Sequence, residues 1–109
     1  MKGSYLGEFQ EIVLLAVLVL EKQAYGVQIQ KEISERTGRS ISRGALHSAL
    51  SRLESKGFLD AQFGEANKER GGKPKKFYEV TQKGQEALRE AEAIRQGFHK
   101  SLLNFKFSQ

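Results

Sequence analysis

The sequence predicts a mainly α fold with a small β element (α+β), and three observations carry that prediction. Helical signals fill most of the chain up to Gly57; two strand-like runs follow, around residues 59–63 and 77–81; a long amphipathic segment closes the chain. With 109 residues the chain can build one core but not two independent ones.

The first segment, "GEFQEIVLLAVLVLEKQ", opens with Glu8 and Glu11, which suit a helix N-terminus. Its centre, IVLLAVLVL, is apolar at every position, so periodicity alone does not separate helix from strand. Length decides, because the breaker-free stretch from Gly7 to Lys22 exceeds an ordinary strand. A helix apolar all round needs cover on more than one side, and so small a chain suggests that a partner subunit supplies part of it.

In "AYGVQIQKEISERTG", Tyr25, Ile29 and Ile33 share one helical face, and Gly38 is placed to end the helix. The next helix starts in "SISRGALHSALSRLESKGFL". Ser42 can cap it, Leu46, Ala49, Leu50 and Leu53 make its core face, and Gly57 stops it. The opposite face holds Gly44, His47, Ser48, Ser51 and Ser55, flanked by Arg43 and Arg52. It is short, flat and free of acid near its N-terminus, unlike a typical solvated face.

"LDAQF" and "FYEVT" alternate as strands do, and "GEANKERGGKPKK" (residues 64–76) joins them with turn chemistry at Gly71-Gly72 and Pro74. The result is a two-stranded hairpin whose tip is expected to carry Arg70, Lys73, Lys75 and Lys76. Thr81 can cap a last helix over residues 82–105. Gly84, Ala91, Phe98 and Phe105 recur every seven residues there, with Ala87 and Ile94 in the second seam position and Gly97 as an expected interruption.

Charge is unevenly placed. Residues 39–79 hold nine Lys and Arg against five acids, whereas residues 1–38 hold four against five. A basic middle on a near-neutral frame suggests a localised anionic partner, nucleic acid before a membrane surface. No cysteine is present, so disulfides and thiolate metal sites are ruled out. The nine-residue apolar run is about half of what spans a bilayer, and no signal-peptide pattern precedes it, so a cytoplasmic location is expected.

His47 and His99 lack companion ligands at metal-site spacing, and neither a metal nor a cofactor is expected. Gly72-Lys73 does not make a phosphate loop, because Asn67 and Pro74 stand where that motif needs Gly and Ser or Thr. No nucleophile–base set is evident, so an enzyme is not expected.

The order of three helices, strand, basic loop, strand and helix is that of a winged helix-turn-helix. In that architecture the helix from Ser42 enters the major groove and the hairpin, as a wing, reaches phosphates or the minor groove. Candidate DNA contacts are Ser42, Arg43, Gly44, His47, Ser48, Ser51 and Arg52 on the helix, with Arg70, Lys73, Lys75 and Lys76 on the wing. Tyr25 is expected mainly to pack at the start of its helix, with a phosphate contact through its hydroxyl as the alternative.

"YGVQIQKEI", "SRGALHSALSRLESKGFL" and "GGKPKKFYEVTQKGQEAL" together resemble the PadR family of bacterial transcriptional regulators, over about Leu6 to Leu103. The recognition-helix phrase, the basic wing, the aromatic pair Phe77-Tyr78 and Thr81-x-x-Gly84 carry the likeness. The family has Gly-x-Leu-Tyr in that helix, where this chain has Gly44-Ala45-Leu46-His47. The resemblance implies a winged-helix homodimer that binds double-stranded DNA at pseudo-palindromic operators, usually as a repressor. It also implies a C-terminal helix that makes most of the dimer, and release by a small-molecule effector or signal.

On that basis residues 1–81 would form the DNA-binding unit and residues 82–109 a C-terminal dimerisation helix in the same compact body. Phe9, Ile12, Ala91, Ile94, Phe98, Leu102 and Phe105 would pack the dimer or line an effector pocket between subunits. The rival readings are a winged helix that docks an acidic protein and a protein that sequesters a small molecule.

Overall fold

A computed structural model describes residues 6–66 and 74–105. Helix α1 spans Glu8–Leu20 and runs into a 3-10 turn at Glu21–Gln23; α2 spans Gly26–Thr37 and α3 Arg43–Ser55. Strands β1 (Leu59–Ala66) and β2 (Pro74–Val80) form an antiparallel hairpin, and α4 spans Gln82–Ser101. This is the winged helix-turn-helix expected from the sequence.

Three helix boundaries have a local cause. Gly38 ends α2 with φ +72°, a conformation in which a side chain would be strained. The turn into α3 is fixed from α2: Gln30 Nε2 donates to the Ile41 carbonyl at 2.6 Å, and the Arg39 amide donates to Thr37 Oγ1 at 3.1 Å. Ser42 caps α3, its hydroxyl oxygen accepting from the Ala45 amide at 3.0 Å. Thr81 caps α4 in the same way, accepting from Gly84 N at 3.0 Å. It also donates its hydroxyl to the Gly57 carbonyl at 2.6 Å, which joins the end of α3 to the start of α4.

The core gathers one face from each element. Val13, Leu14 and Val17 of α1, Ile29 and Ile33 of α2, and Leu46, Leu50 and Leu53 of α3 close on Phe58, Leu59, Tyr78 and Val80. The apolar first helix is covered on one side alone. Leu15, Leu18 and Val19 remain 42–50% exposed.

Two expectations need correction. Gly97 does not interrupt α4, which runs unbroken to Ser101 and leaves Phe105 beyond its end. An interior glycine costs about 1 kcal/mol against alanine, too little to break a helix of this length. Gly84 does not share a seam with Phe98 either. It is buried against its own chain, facing the Phe58 carbonyl and Val80.

Candidate nucleic-acid interface

Helix α3 turns Leu46, Ala49, Leu50 and Leu53 inward, and by the same periodicity presents Arg43, Gly44, His47, Ser48, Ser51 and Arg52 outward, all exposed. These predicted contacts thus share one accessible side of the helix. Ser42 is exposed too, but its oxygen is engaged in the cap. Gly44 has no internal reason to be glycine, since a Cβ there would meet nothing within 4 Å. An open surface glycine in the first turn of this helix suits close approach of an external backbone.

The two flanks of α3 have different neighbours. On one, Ser48, Arg52 and Lys56 face Gly7, Phe9 and Gln10 at the start of α1 across a groove of about 450 Å³. There Glu8 accepts a 2.7 Å hydrogen bond from Arg39, whose guanidinium holds the Glu8 carboxyl below its ordinary pKa. On the other flank, Glu54 Oε1 lies 3.5 Å from Lys76 Nζ on β2. Lys56 and Glu54 were not among the expected site residues. Lys56 adds a cation beside Arg52, and the Glu54 contact spans 22 residues of sequence, beyond any helical period.

The wing differs from expectation in one respect. Lys75 and Lys76 lie within β2, not at a loop tip, because pairing continues past Lys76↔Phe63, through a bulge, to Pro74↔Ala66. Proline is tolerated at the first position of a strand, so Pro74 did not forbid this. Arg70 and Lys73 lie outside the described residues.

Successive side chains of a strand point to opposite faces, and the two lysines accordingly have different surroundings. Lys75 Nζ sits 4.1 Å from the centroid of the Tyr25 ring. Tyr25 in turn meets Phe77 edge-on at 5.5 Å and pairs with it through a single antiparallel β-bridge, with the Tyr78 amide donating to the Ala24 carbonyl at 2.9 Å. Tyr25 therefore packs at the start of α2 as expected, with Gln28 Nε2 donating to its hydroxyl at 3.4 Å. Tyr78 is buried in the core.

The residues expected at a dimer seam or effector pocket divide into two groups. Phe9 and Ile12 are half-buried against their own core. Ala91 is half-exposed, and Ile94, Phe98, Leu102 and Phe105 are exposed on and beyond the outer end of α4. The larger cleft described, about 510 Å³, involves none of them; it lies among Leu18, Glu21, Asp60, Phe63, Phe77 and Glu79. Its lining runs from Val17 to Gln85, segments up to 68 residues apart, which no local motif announces. Among the described residues no helix is long and apolar enough to cross a membrane.

Comparisons with known proteins agree with this architecture. The profile of the transcriptional regulator PadR-like family matches residues 14–90. An uncharacterised protein of Lysinibacillus sphaericus is 38% identical over 86 residues, covering 77% of this chain and 74% of that one. A PadR family transcription regulator from Clostridium difficile R20291 superposes with a TM-score of 0.70 at 25% identity, covering 89% of this chain and 97% of that one. A PadR family regulator from Eggerthella lenta does so at 0.63 and 31% identity, covering 86% and 82%. The profile spans more than two thirds of the residues, from the middle of α1 into α4. The chain therefore belongs to the PadR-like family, and it is a DNA-binding transcriptional regulator and not an enzyme.

Proposed function

We propose that the protein works in the cytoplasm as a homodimeric repressor on a pseudo-palindromic operator. Each subunit inserts α3 into a major groove, while the wing lysines and Arg52 meet backbone phosphates. Two-fold symmetry sets the half-sites about 34–36 Å apart. The observation that carries this reading is the outward face of α3: exposed, built from small and hydroxylated residues, open at Gly44, and basic at Arg43 and Arg52.

Dimerisation is supported by what the single chain leaves uncovered, namely Leu15, Leu18 and Val19 on α1, Ile94 and Phe98 on α4, and Leu102 just beyond its end. In this reading residues 1–81 form the DNA-binding unit and residues 82–109 the dimerising one. Apolar contacts between the outer ends of α4 also give an effector a place to act. A small molecule seated between the subunits induces transcription if it binds better to a dimer whose half-site spacing misfits the operator.

The test is a footprint and an affinity titration on the DNA upstream of the protein's own gene, with molecular mass measured in parallel. We expect a symmetric footprint. We also expect an affinity that falls log-linearly between about 50 and 200 mM salt, and a complex that survives competitor DNA. Lys75→Ala should weaken all sequences alike and flatten the salt slope by about 1. Binding without sequence selectivity would sink the operator reading and favour docking of an acidic protein instead.

A further inference from the structure

Both described wing lysines are cations beside α2 and α3, yet they are held in ways that leave them unequally available to a phosphate. Lys75 rests on the Tyr25 ring, at 4.1 Å, and an aromatic face cancels none of its charge. Lys76 sits 3.5 Å from the Glu54 carboxylate, with the rings of Phe63 and Tyr78 5.8 and 5.5 Å from its ammonium. A carboxylate does cancel the charge.

Glu54 is the sole acid in α3. It lies seven residues, about two helical turns, beyond His47, and so on the wing-side edge of the exposed face. Its side chain and that of Lys76 are 39% and 37% exposed. An ion pair so open to water adds little to folding. Fold stability thus gives a weak account of why an acid should stand at the edge of a helix face otherwise free of acid.

We propose that Glu54 is a positioning residue that limits non-specific DNA binding, by holding Lys76 away from the phosphate backbone. This rests on α3 and the wing being the DNA-binding surface. Each phosphate neutralised by a protein cation releases counterions and steepens the salt dependence by about 0.9. A lysine committed to a carboxylate contributes less than that. The wing then presents Lys75 fully and Lys76 in part, and removing the acid restores the second contact.

The experiment is a salt titration of affinity for a random-sequence duplex, using the full chain, Glu54→Gln, Lys76→Met and the double variant. Glu54→Gln should tighten binding about three- to eight-fold near 100 mM salt and steepen the slope by about 0.5–0.9. That gain should vanish when Lys76→Met is added. Lys76→Met alone should flatten the slope by less than half as much as Lys75→Ala does, a comparison that still decides the matter if Glu54→Gln folds poorly.

An unchanged slope in Glu54→Gln overturns the proposal. So does a gain that survives Lys76→Met, because the acid would then act by its own repulsion. Equal losses from Lys76→Met and Lys75→Ala overturn it as well. If the native protein shows no salt-dependent duplex binding, the DNA surface itself has been misassigned and this inference falls with it.

Discussion

The two halves of α4 obey the same helical geometry but answer to different surroundings. In the first half Gly84, Ala87 and Leu88 are buried, with Gly84 set against the Phe58 carbonyl and Val80. From Glu92 to Lys100 every residue is exposed, including Ile94 at 58% and Phe98 at 70%. The Glu11–Arg95 ion pair ties the second half back to α1. Spacing large apolar residues along a stripe exposed to water gains a lone chain nothing. The first half is explained by its own fold, and the second calls for something outside it.

The largest effect should come from the uncovered half. Burying a Phe side chain is worth about 1.5–3 kcal/mol, and a two-fold interface contains each residue twice. In the proposed dimer, Phe98→Glu should therefore weaken association by about 3–6 kcal/mol, or two to four decades in the dissociation constant. Light scattering across a dilution series would register this. Urea unfolding of the dilute, monomeric protein should be nearly unchanged, because Phe98 contributes little to its own core. A variant that stays dimeric would give the outer half another occupant.

The buried half is expected to respond in the opposite manner. Gly84→Ala would drive a methyl group into a backbone carbonyl and to within 2.8 Å of Val80 Cγ1. The carbonyl belongs to Phe58, which is fully buried and accepts from the Thr81 amide at 3.0 Å, so it has little freedom to retreat. Overpacking of this kind costs about 1–3 kcal/mol, and urea unfolding should show that loss at every protein concentration. Gly97→Ala, thirteen residues on, adds a methyl group to open space. It should raise stability by up to about 1 kcal/mol and leave the mass unchanged. Dissociation of the dimer on Gly97→Ala would mean that a partner backbone approaches there.

What could be read in advance follows the same division between local and distant causes. Ser42, Thr81 and Gly38 act on neighbours within a few residues, and each was legible as a cap or stop. The core face of α3 was legible because a 3.6-residue period needs no partner to be visible. Gly71, Gly72 and Pro74 mark turns, and from sequence they place Lys75 and Lys76 in a loop. Whether a strand continues past such residues depends on its partner strand, and Phe63 and Ala66 supplied the pairing. The seven-residue repeat puts Gly84 on the side of Phe98, but a repeat states which residues share a side, not which chain covers them. Glu54, Lys56 and the Tyr25–Phe77 bridge were missed for a related reason: the partners lie on elements whose packing only the folded chain brings together.

The smallest effect belongs to neither half of α4 and so serves as their control. Glu8 opens α1 and accepts from Arg39 in the turn before α3, and both side chains are largely exposed. The hydrogen bond from Arg39, then its charge, hold the Glu8 carboxyl below its ordinary pKa in the folded protein. A carboxyl whose folded pKa is depressed adds stability above its unfolded value, about 4.3 for glutamate, and loses it as the pH falls through the folded value. Arg39→Ala should therefore lower the thermal midpoint slightly at neutral pH. The gap between variant and native protein should close once the pH is well below the ordinary carboxylate range. Added salt should narrow it too, since exposed charges are screened. A gap that persists in acid would mean that Arg39 supports the turn through packing and not through charge. Since α4 is untouched, the monomer–dimer equilibrium should not move at any pH where the chain stays folded. A shift there would connect the start of α1 to the subunit contact and blur the division between the two halves.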